Sequence, residues 1–230
     1  MEGGGTKTNL ATFMRDRRDD EKQTAGPFLT ISRQYGCHGY FLGLLLVDMI
    51  NNEPGQAARW KVYQREILER LSEETDLAAE EINRLRREKP RVLVNFFRNL
   101  SPRRQQQPSA YEIRNRITAM VRNLCLEGHC ILIGMGGAGA SADLDNGLRI
   151  RLEGPKEWRV KRIVEAEGIT PVQARLLIQQ RDEERDHLQK IYDMKFRREP
   201  AFDIVYDCSS FSLAQLTQHI IQAMKMKGLL

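Results

Sequence analysis

An α/β fold with one five-stranded parallel sheet is what this chain predicts, on three observations. Short apolar runs rich in β-branched residues recur at 28–32, 59–63, 130–135, 148–152 and 203–207, with the length and composition of buried strands. Stretches of helical apolar spacing separate them, and such alternation builds a parallel sheet covered on both faces. Glycine clusters follow two of these runs, at Gly36 and Gly39 and across Gly134-Met-Gly-Gly-Ala-Gly139, and ligands in such folds bind beyond the carboxyl ends of the strands.

The first element is Phe28 to Ser32, a strand running into Arg33-Gln-Tyr-Gly-Cys-His-Gly39 and then into an apolar helix from Gly43 to Ile50. Free N–H groups at such a helix start, with the positive end of the helix dipole, make a site for phosphate. The full phosphate-loop motif adds a lysine and a serine or threonine. Gly39 and Tyr40 stand in those places, so on this stretch alone an ordinary glycine turn stays open.

Residues 1–26 are polar and begin Met-Glu-Gly-Gly-Gly, which reads as a disordered arm holding at most one amphipathic turn around Leu10, Phe13 and Met14. Pro54-Gly55 marks a turn before the second strand, 59–63, and a helix over 64–74 follows. Asp76 is placed to cap a third helix through Glu88, closed by Pro90. Residues 92–100 are apolar and short, and 101–108 reads as an exposed excursion. Ile113, Ile117, Met120, Val121 and Leu124 share one face of a helix ended by Gly128 in a left-handed turn. In the fourth strand Leu148, Ile150 and Leu152 alternate with Arg149 and Arg151, so its second face is solvated or faces a site. Pro155 opens a helix. Thr170-Pro-Val-Gln173 is a capping box opening a long charged helix with Arg181 and Arg185 on one face. The last strand and an amphipathic helix over 212–226 complete the fold.

At 230 residues, 41% apolar and 29% charged, the chain has the make-up of a globular protein that buries its core as one domain. Its charge is +5, from 36 Lys and Arg against 31 Asp and Glu. An arginine-rich balance suits an anionic ligand, nucleotide or nucleic acid, and equally a solvated, ion-paired surface. Cys37, Cys125, Cys130 and Cys208 show no metal-type pairing and read as reduced core thiols of a cytoplasmic protein. No run has the length of a membrane span and no signal-peptide pattern opens the chain. His129, His187 and His219 are scattered, and Asp143 and Asp145 read as loop caps or as water-mediated magnesium contacts. No protein-held metal cluster is expected.

Four segments carry a family resemblance. Ile31-Ser-Arg-Gln-Tyr-Gly-Cys-His-Gly39 is similar to Ile-Ser-Arg-Glu-Tyr-Gly-Ser-Gly-Gly, Tyr63-Gln-Arg-Glu-Ile-Leu68 to Tyr-Asp-Arg-Glu-Ile-Leu, and Glu127-Gly-His-Cys-Ile-Leu-Ile-Gly-Met-Gly136 to Glu-Gly-Pro-Cys-Val-Ile-Val-Gly-Arg-Gly. The run from Leu148 through Arg159, Arg162 and Gln180-Arg-Asp-Glu-Glu-Arg185 to Phe202-Asp-Ile-Val-Tyr-Asp-Cys-Ser209 follows the same pattern. The chain thus resembles the cytidylate kinase-like family of P-loop nucleoside monophosphate kinases, with a divergent phosphate loop.

The resemblance implies a three-layer P-loop NTPase fold over 27–230, with an acceptor-side helical insert near 64–110 and a lid near 170–200. It implies phosphoryl transfer from ATP, with Mg2+, to a nucleoside monophosphate. Arg33, Tyr35, Gly36, Cys37, His38, Gly39 and Tyr40 would bind the donor nucleotide, Arg65 the acceptor, and Arg162, Arg181 and Arg185 would act as catalytic arginines. The pattern is broken at Tyr40 and Phe41, where Arg and Glu are typical, at His38 for Gly, Gln64 for Asp and Met135 for Arg, and at Arg151 and Glu153. Each break alters a polar group at the site's edge. The alternative is therefore a catalytically impaired kinase-fold protein serving as a nucleotide- or protein-binding regulatory module. Membrane association is not expected, self-association stays open, and Arg103 and Arg104 have no nucleic-acid motif around them.

Overall fold

A computed structural model describes residues 25–55, 58–75, 77–88, 108–195, 198–199 and 201–230. Five parallel strands form one sheet: β1 Phe28–Arg33, β2 Lys61–Tyr63, β3 Cys130–Ile133, β4 Gly147–Glu153 and β5 Ile204–Asp207. Their order is β2-β3-β1-β4-β5. The chain reverses its direction across the sheet at β1, so the loops after β1, β3 and β4 meet at one edge, where this topology opens a crevice.

Helices α1 Gly39–Asn51, α2 Glu66–Thr75, α3 Ala79–Arg87, α4 Ala110–Glu127, α5 Gly137–Ala140, α6 Lys156–Glu167, α7 Pro171–Lys195 and α8 Leu213–Met226 cover the sheet. Strand alternation decides which side chains each layer meets. Leu29, Ile31, Ile131, Ile133, Leu148, Ile150 and Leu152 pack with Leu42, Leu46 and Ile50 of α1 and with Ile220, Ile221 and Met224 of α8. Phe28, Cys130 and Leu132 face the other way, onto α2, α3 and the Ile113, Ile117 and Val121 stripe of α4. A smaller apolar cluster, Val160, Ile163, Ala174 and Ile178, joins α6 to α7 and touches Tyr35.

The expected strands and helices are present, with shifts at several ends. β2 begins at Lys61 rather than Arg59. α3 has Ala78 at its N-cap position, with no side-chain bond from it, and Asp76, the expected cap, lies outside the described residues. The α4 capping box at Ser109 and Glu112 and the Thr170–Gln173 box, closed at 2.9 and 3.3 Å, tie down their helix starts. Gly128 has φ 79 but ψ −171 and is not left-handed helical. Its role is close approach, since a Cβ there would strike the backbone of Gly26. Ala25 and Gly26, expected in the arm, are joined to the domain: Ala25 is buried, its carbonyl accepts from Asn146 Nδ2 at 2.9 Å, and Gly26 N–H donates to Leu126 O at 3.1 Å. Residues 1–24, the segment 92–107 and with it Arg103 and Arg104 lie outside the described residues. Among the described residues no helix is long and apolar enough to cross a membrane.

Candidate active site

Two cavities flank the loop that follows β1. The larger, about 500 Å³, lies between the carboxyl ends of β1, β3 and β4 and the helices α2, α3 and α7. Seven arginines line it: Arg33, Arg65, Arg86, Arg87, Arg151, Arg181 and Arg185, against two carboxylates, Glu80 and Glu184. Each comes from a position that its element aims inward. Arg33 ends β1, Arg151 lies on the polar face of β4, Arg86 and Arg87 close α3, and Arg181 and Arg185 share a face of α7. Arg149, two residues before Arg151 on the same face, is consumed structurally: it donates to Ser141 O and to Leu144 O at 2.6 Å and lies over the Phe28 ring.

Four of the seven are neutralised. Arg65 bonds Glu80 at 2.8 Å and Glu69 at 3.3 Å, Arg87 and Arg181 share Glu184 at 2.9 and 3.2 Å, and Arg151 bonds Glu153 and Gln189, each at 2.6 Å. Arg33, Arg86 and Arg185 have no carboxylate partner among the described residues. Burial and then the charges of Arg185 and Arg86 press the Arg33 guanidinium down to about 9, and burial with Arg87 presses Arg86 down to about 10. Arg185 is lowered by burial as well, and its guanidinium donates to Arg33 O at 3.1 Å over the Tyr35 ring. Like charges gathered this way oppose one another until an anion arrives. Gln64 Oε1 is a buried acceptor with no donor among the described residues, so the cavity also holds an unanswered place for an N–H or O–H.

Glycines shape the cavity wall. Gly134 has φ 72, and a Cβ there would collide with the Arg33 guanidinium. Gly139 lies so close to Tyr192 that its Cβ would come within 2.7 Å of the Tyr192 Cβ.

The smaller cavity, about 310 Å³, lies on the other side of the loop, lined by Cys37, His38, Trp158, Arg162, Phe211 and the serines 209, 210 and 212. Between the cavities the loop is strapped to its surroundings. Asp182 of α7 accepts from Tyr35 N–H at 2.8 Å and from Arg159 Nη1 at 2.6 Å. The buried Arg159 also donates to Tyr35 O at 3.1 Å and Gly154 O at 3.0 Å. Tyr35 OH donates to Glu167 at 2.6 Å, and burial with that bond pushes the phenol up to about 12. Arg162 Nη2 meets His38 Nδ1 at 2.6 Å and lies over the Trp158 ring. Burial and then Arg162 hold the imidazole below its ordinary range, so Nδ1 is the acceptor in this bond. The N–H groups of Gly36, His38 and Gly39 have no acceptor among the described residues and border the α1 start, where phosphate is favoured.

The residues singled out by the sequence thus fall into three places. Arg33, Tyr35, Arg65, Arg181 and Arg185 line the larger cavity, and Cys37, His38 and Arg162 the smaller one, with Gly36 and Gly39 in the loop between. Arg162 is therefore not brought together with Arg181 and Arg185. Tyr40 is exposed and its ring lies in a shallow groove with Leu44 and Tyr63, away from both cavities. Asp143 is held by Arg122 at 2.6 and 3.1 Å rather than left open to a metal. Arg86, Arg87, Gln189 and Tyr192 belong to the larger cavity and were not singled out. The basic end of α3 and the i, i+4 spacing of Arg185 and Gln189 were their signals in the sequence.

The profile of the Cytidylate kinase-like family matches residues 28–210. Among solved structures, the chain is similar to an uncharacterized protein from Eubacterium ventriosum, at 17% identity over 87% of this chain and 98% of that one, with a TM-score of 0.59. It is also similar to a shikimate kinase from Bacteroides thetaiotaomicron, at 12% identity over 86% and 98% of the two chains, with a TM-score of 0.48. At these identities the first shows the fold alone, and the second adds no argument. No curated protein matches the chain. With the profile spanning the loop after β1, both cavity walls and the α7 arginines, the chain belongs to the cytidylate kinase-like family.

Proposed function

We propose that the protein transfers a phosphoryl group from ATP to a nucleoside monophosphate, the donor lying along the α1 start and the smaller cavity and the acceptor in the larger one. The observation that carries this reading is the group Arg33, Arg86 and Arg185, partly buried cations in no ion pair among the described residues, at the carboxyl edge of a parallel sheet. Such a group is stabilised by a phosphate dianion and stays charged when one binds. Gln64 Oε1 supports an acceptor that presents an N–H or O–H beside its phosphate. Phosphoryl transfer needs charge neutralisation and in-line positioning rather than a protein nucleophile. In this reading Arg185 and Arg181 neutralise the phosphate in transit, and Gly36, His38 and Gly39 hold the donor through main-chain N–H groups.

ATP fits the loop, since free N–H groups and an aromatic-walled cavity stand side by side. A protein-held magnesium does not fit. Tyr40 and Phe41 follow Gly39, and among the described residues no cluster of three or more His, Cys, Asp or Glu gathers to hold a metal. No step is assigned to a metal held by the protein.

A second reading, a kinase-fold regulatory module, is favoured by the straps on the loop: Asp182 already takes the Tyr35 N–H and His38 already takes Arg162, two donors that a phosphate would use. Calorimetric titration with ATP and magnesium, followed by a coupled assay with each nucleoside monophosphate, separates the two. Turnover supports the kinase, and binding without turnover supports the module.

A further inference from the structure

The four cysteines form two pairs with opposite surroundings. The Cys37 thiol, in the loop after β1, is directed at the sulfur of Cys208, which follows β5. Cys125 of α4 and Cys130 of β3 face each other in the same way. The second pair is sealed in the core at 0% and 1% exposure, touches neither cavity, and Cys130 Sγ donates to Leu124 O at 3.2 Å. Cys37 and Cys208 instead line the smaller cavity, at 2% and 7% exposure, with Arg162 in the same wall. Arg162 Nε is a buried donor with no partner among the described residues.

We infer that Cys37 and Cys208 form an oxidisable dithiol, a modification site for peroxide in the wall of the smaller cavity, in which a reversible disulfide ties the loop after β1 to the end of β5. The thiolate is the form that attacks peroxide, and nearby guanidinium charge favours it. Cys208 is lowered chiefly by the Cys37 S–H, with Arg162 adding to this against burial and Asp207, whereas Cys37 is raised by Cys208 and by burial. Cys208, the more exposed of the two sulfurs and in one cavity wall with Arg162, is therefore the attacking sulfur. Its thiolate takes one oxygen from hydrogen peroxide and, with one proton, leaves a sulfenic acid and water. Cys37 then attacks that sulfur, its proton and the hydroxyl leave as a second water, and the S–S bond forms. Each sulfur loses one electron and peroxide gains two. The inference does not depend on phosphotransfer, since its readout is a sulfur–sulfur bond.

The test treats the full chain with stoichiometric hydrogen peroxide, alkylates the remaining thiols and maps the digested peptides without reductant. The expected product joins the Cys37 and Cys208 peptides, is reversed by dithiothreitol and forms at least about tenfold faster than a Cys125–Cys130 product. In Cys37→Ser the sulfenic acid has no resolving thiol, so dimedone should label Cys208 there and leave the parent protein unlabelled. Alkylated Cys37 and Cys208 after the peroxide is consumed, over-oxidation of Cys208 without the bond, or equal rates for the two pairs would each overturn the inference.

Discussion

The two cavities beside the loop after β1 differ in what their charges already touch. In the smaller one Arg162 is already bonded to His38, and the loop between the two cavities is braced by Arg159 and Tyr35 on Asp182 and Glu167, so a ligand must compete with contacts inside the protein. In the larger one Arg33, Arg86 and Arg185 gather with no carboxylate in ion-pair contact among the described residues, so a ligand relieves repulsion. The same residue type serves as brace in one place and as unspent charge in the other. The difference lies in whether an acidic side chain has been placed within reach.

The largest effect should come from cutting the brace. Arg159 is buried and Asp182 is its carboxylate, so Asp182→Ala leaves a buried cation without its partner and should lower stability by about 3–5 kcal/mol, read by urea unfolding. On the unspent side the sign reverses. Arg86→Met removes a crowded cation, so the unliganded protein should be equally stable or more stable, while a nucleoside monophosphate loses about 1.5–3 kcal/mol of charged hydrogen bonding, roughly ten- to a hundredfold in affinity by calorimetry. Arg181, tied to Glu184 at 3.2 Å, is intermediate: Arg181→Ala should cut turnover by at least about tenfold with the melting temperature nearly unchanged. Equal activity would remove Arg181 from the site.

The smallest effect is on pH. Burial and Arg162 lower His38 in the folded chain, so between that depressed value and the ordinary histidine value near 6.5 the unfolded chain binds more protons. The contribution of His38 is full above pH about 6.5 and is lost as pH falls. His38→Gln should flatten the acid limb of a plot of melting temperature against pH, and an unchanged limb would show that the Arg162 contact does not hold the imidazole neutral.

The sheet was legible because its strands are short apolar runs punctuated by glycine and its helices carry one apolar stripe, both local patterns. The alternation of Leu148, Ile150 and Leu152 with Arg149 and Arg151 left two readings open, and packing closed the choice: Arg149 enters the core and Arg151 the cavity. The candidate site was legible only in part. That Arg33 and Arg185 lack carboxylates while Arg159 has one is decided by where α7 lies across the loop, and no spacing along the chain encodes it. Along α7 the charges do not keep to their own neighbours: Asp182 turns to Arg159 and Tyr35, Asp186 stands 3.9 Å from Arg151, and Glu184 is shared by Arg181 and Arg87. Neighbours on a helix compete with partners from other elements, and the buried partner wins.

The most direct test of the account is calorimetric titration of nucleoside monophosphates into the parent protein and into an Arg33→Met, Arg86→Met double variant at neutral pH. The account predicts binding to the parent, loss of about a hundredfold or more in the double variant, and no loss of thermal stability without ligand. Equal affinity in the two proteins, or no heat in either at millimolar ligand, would contradict it.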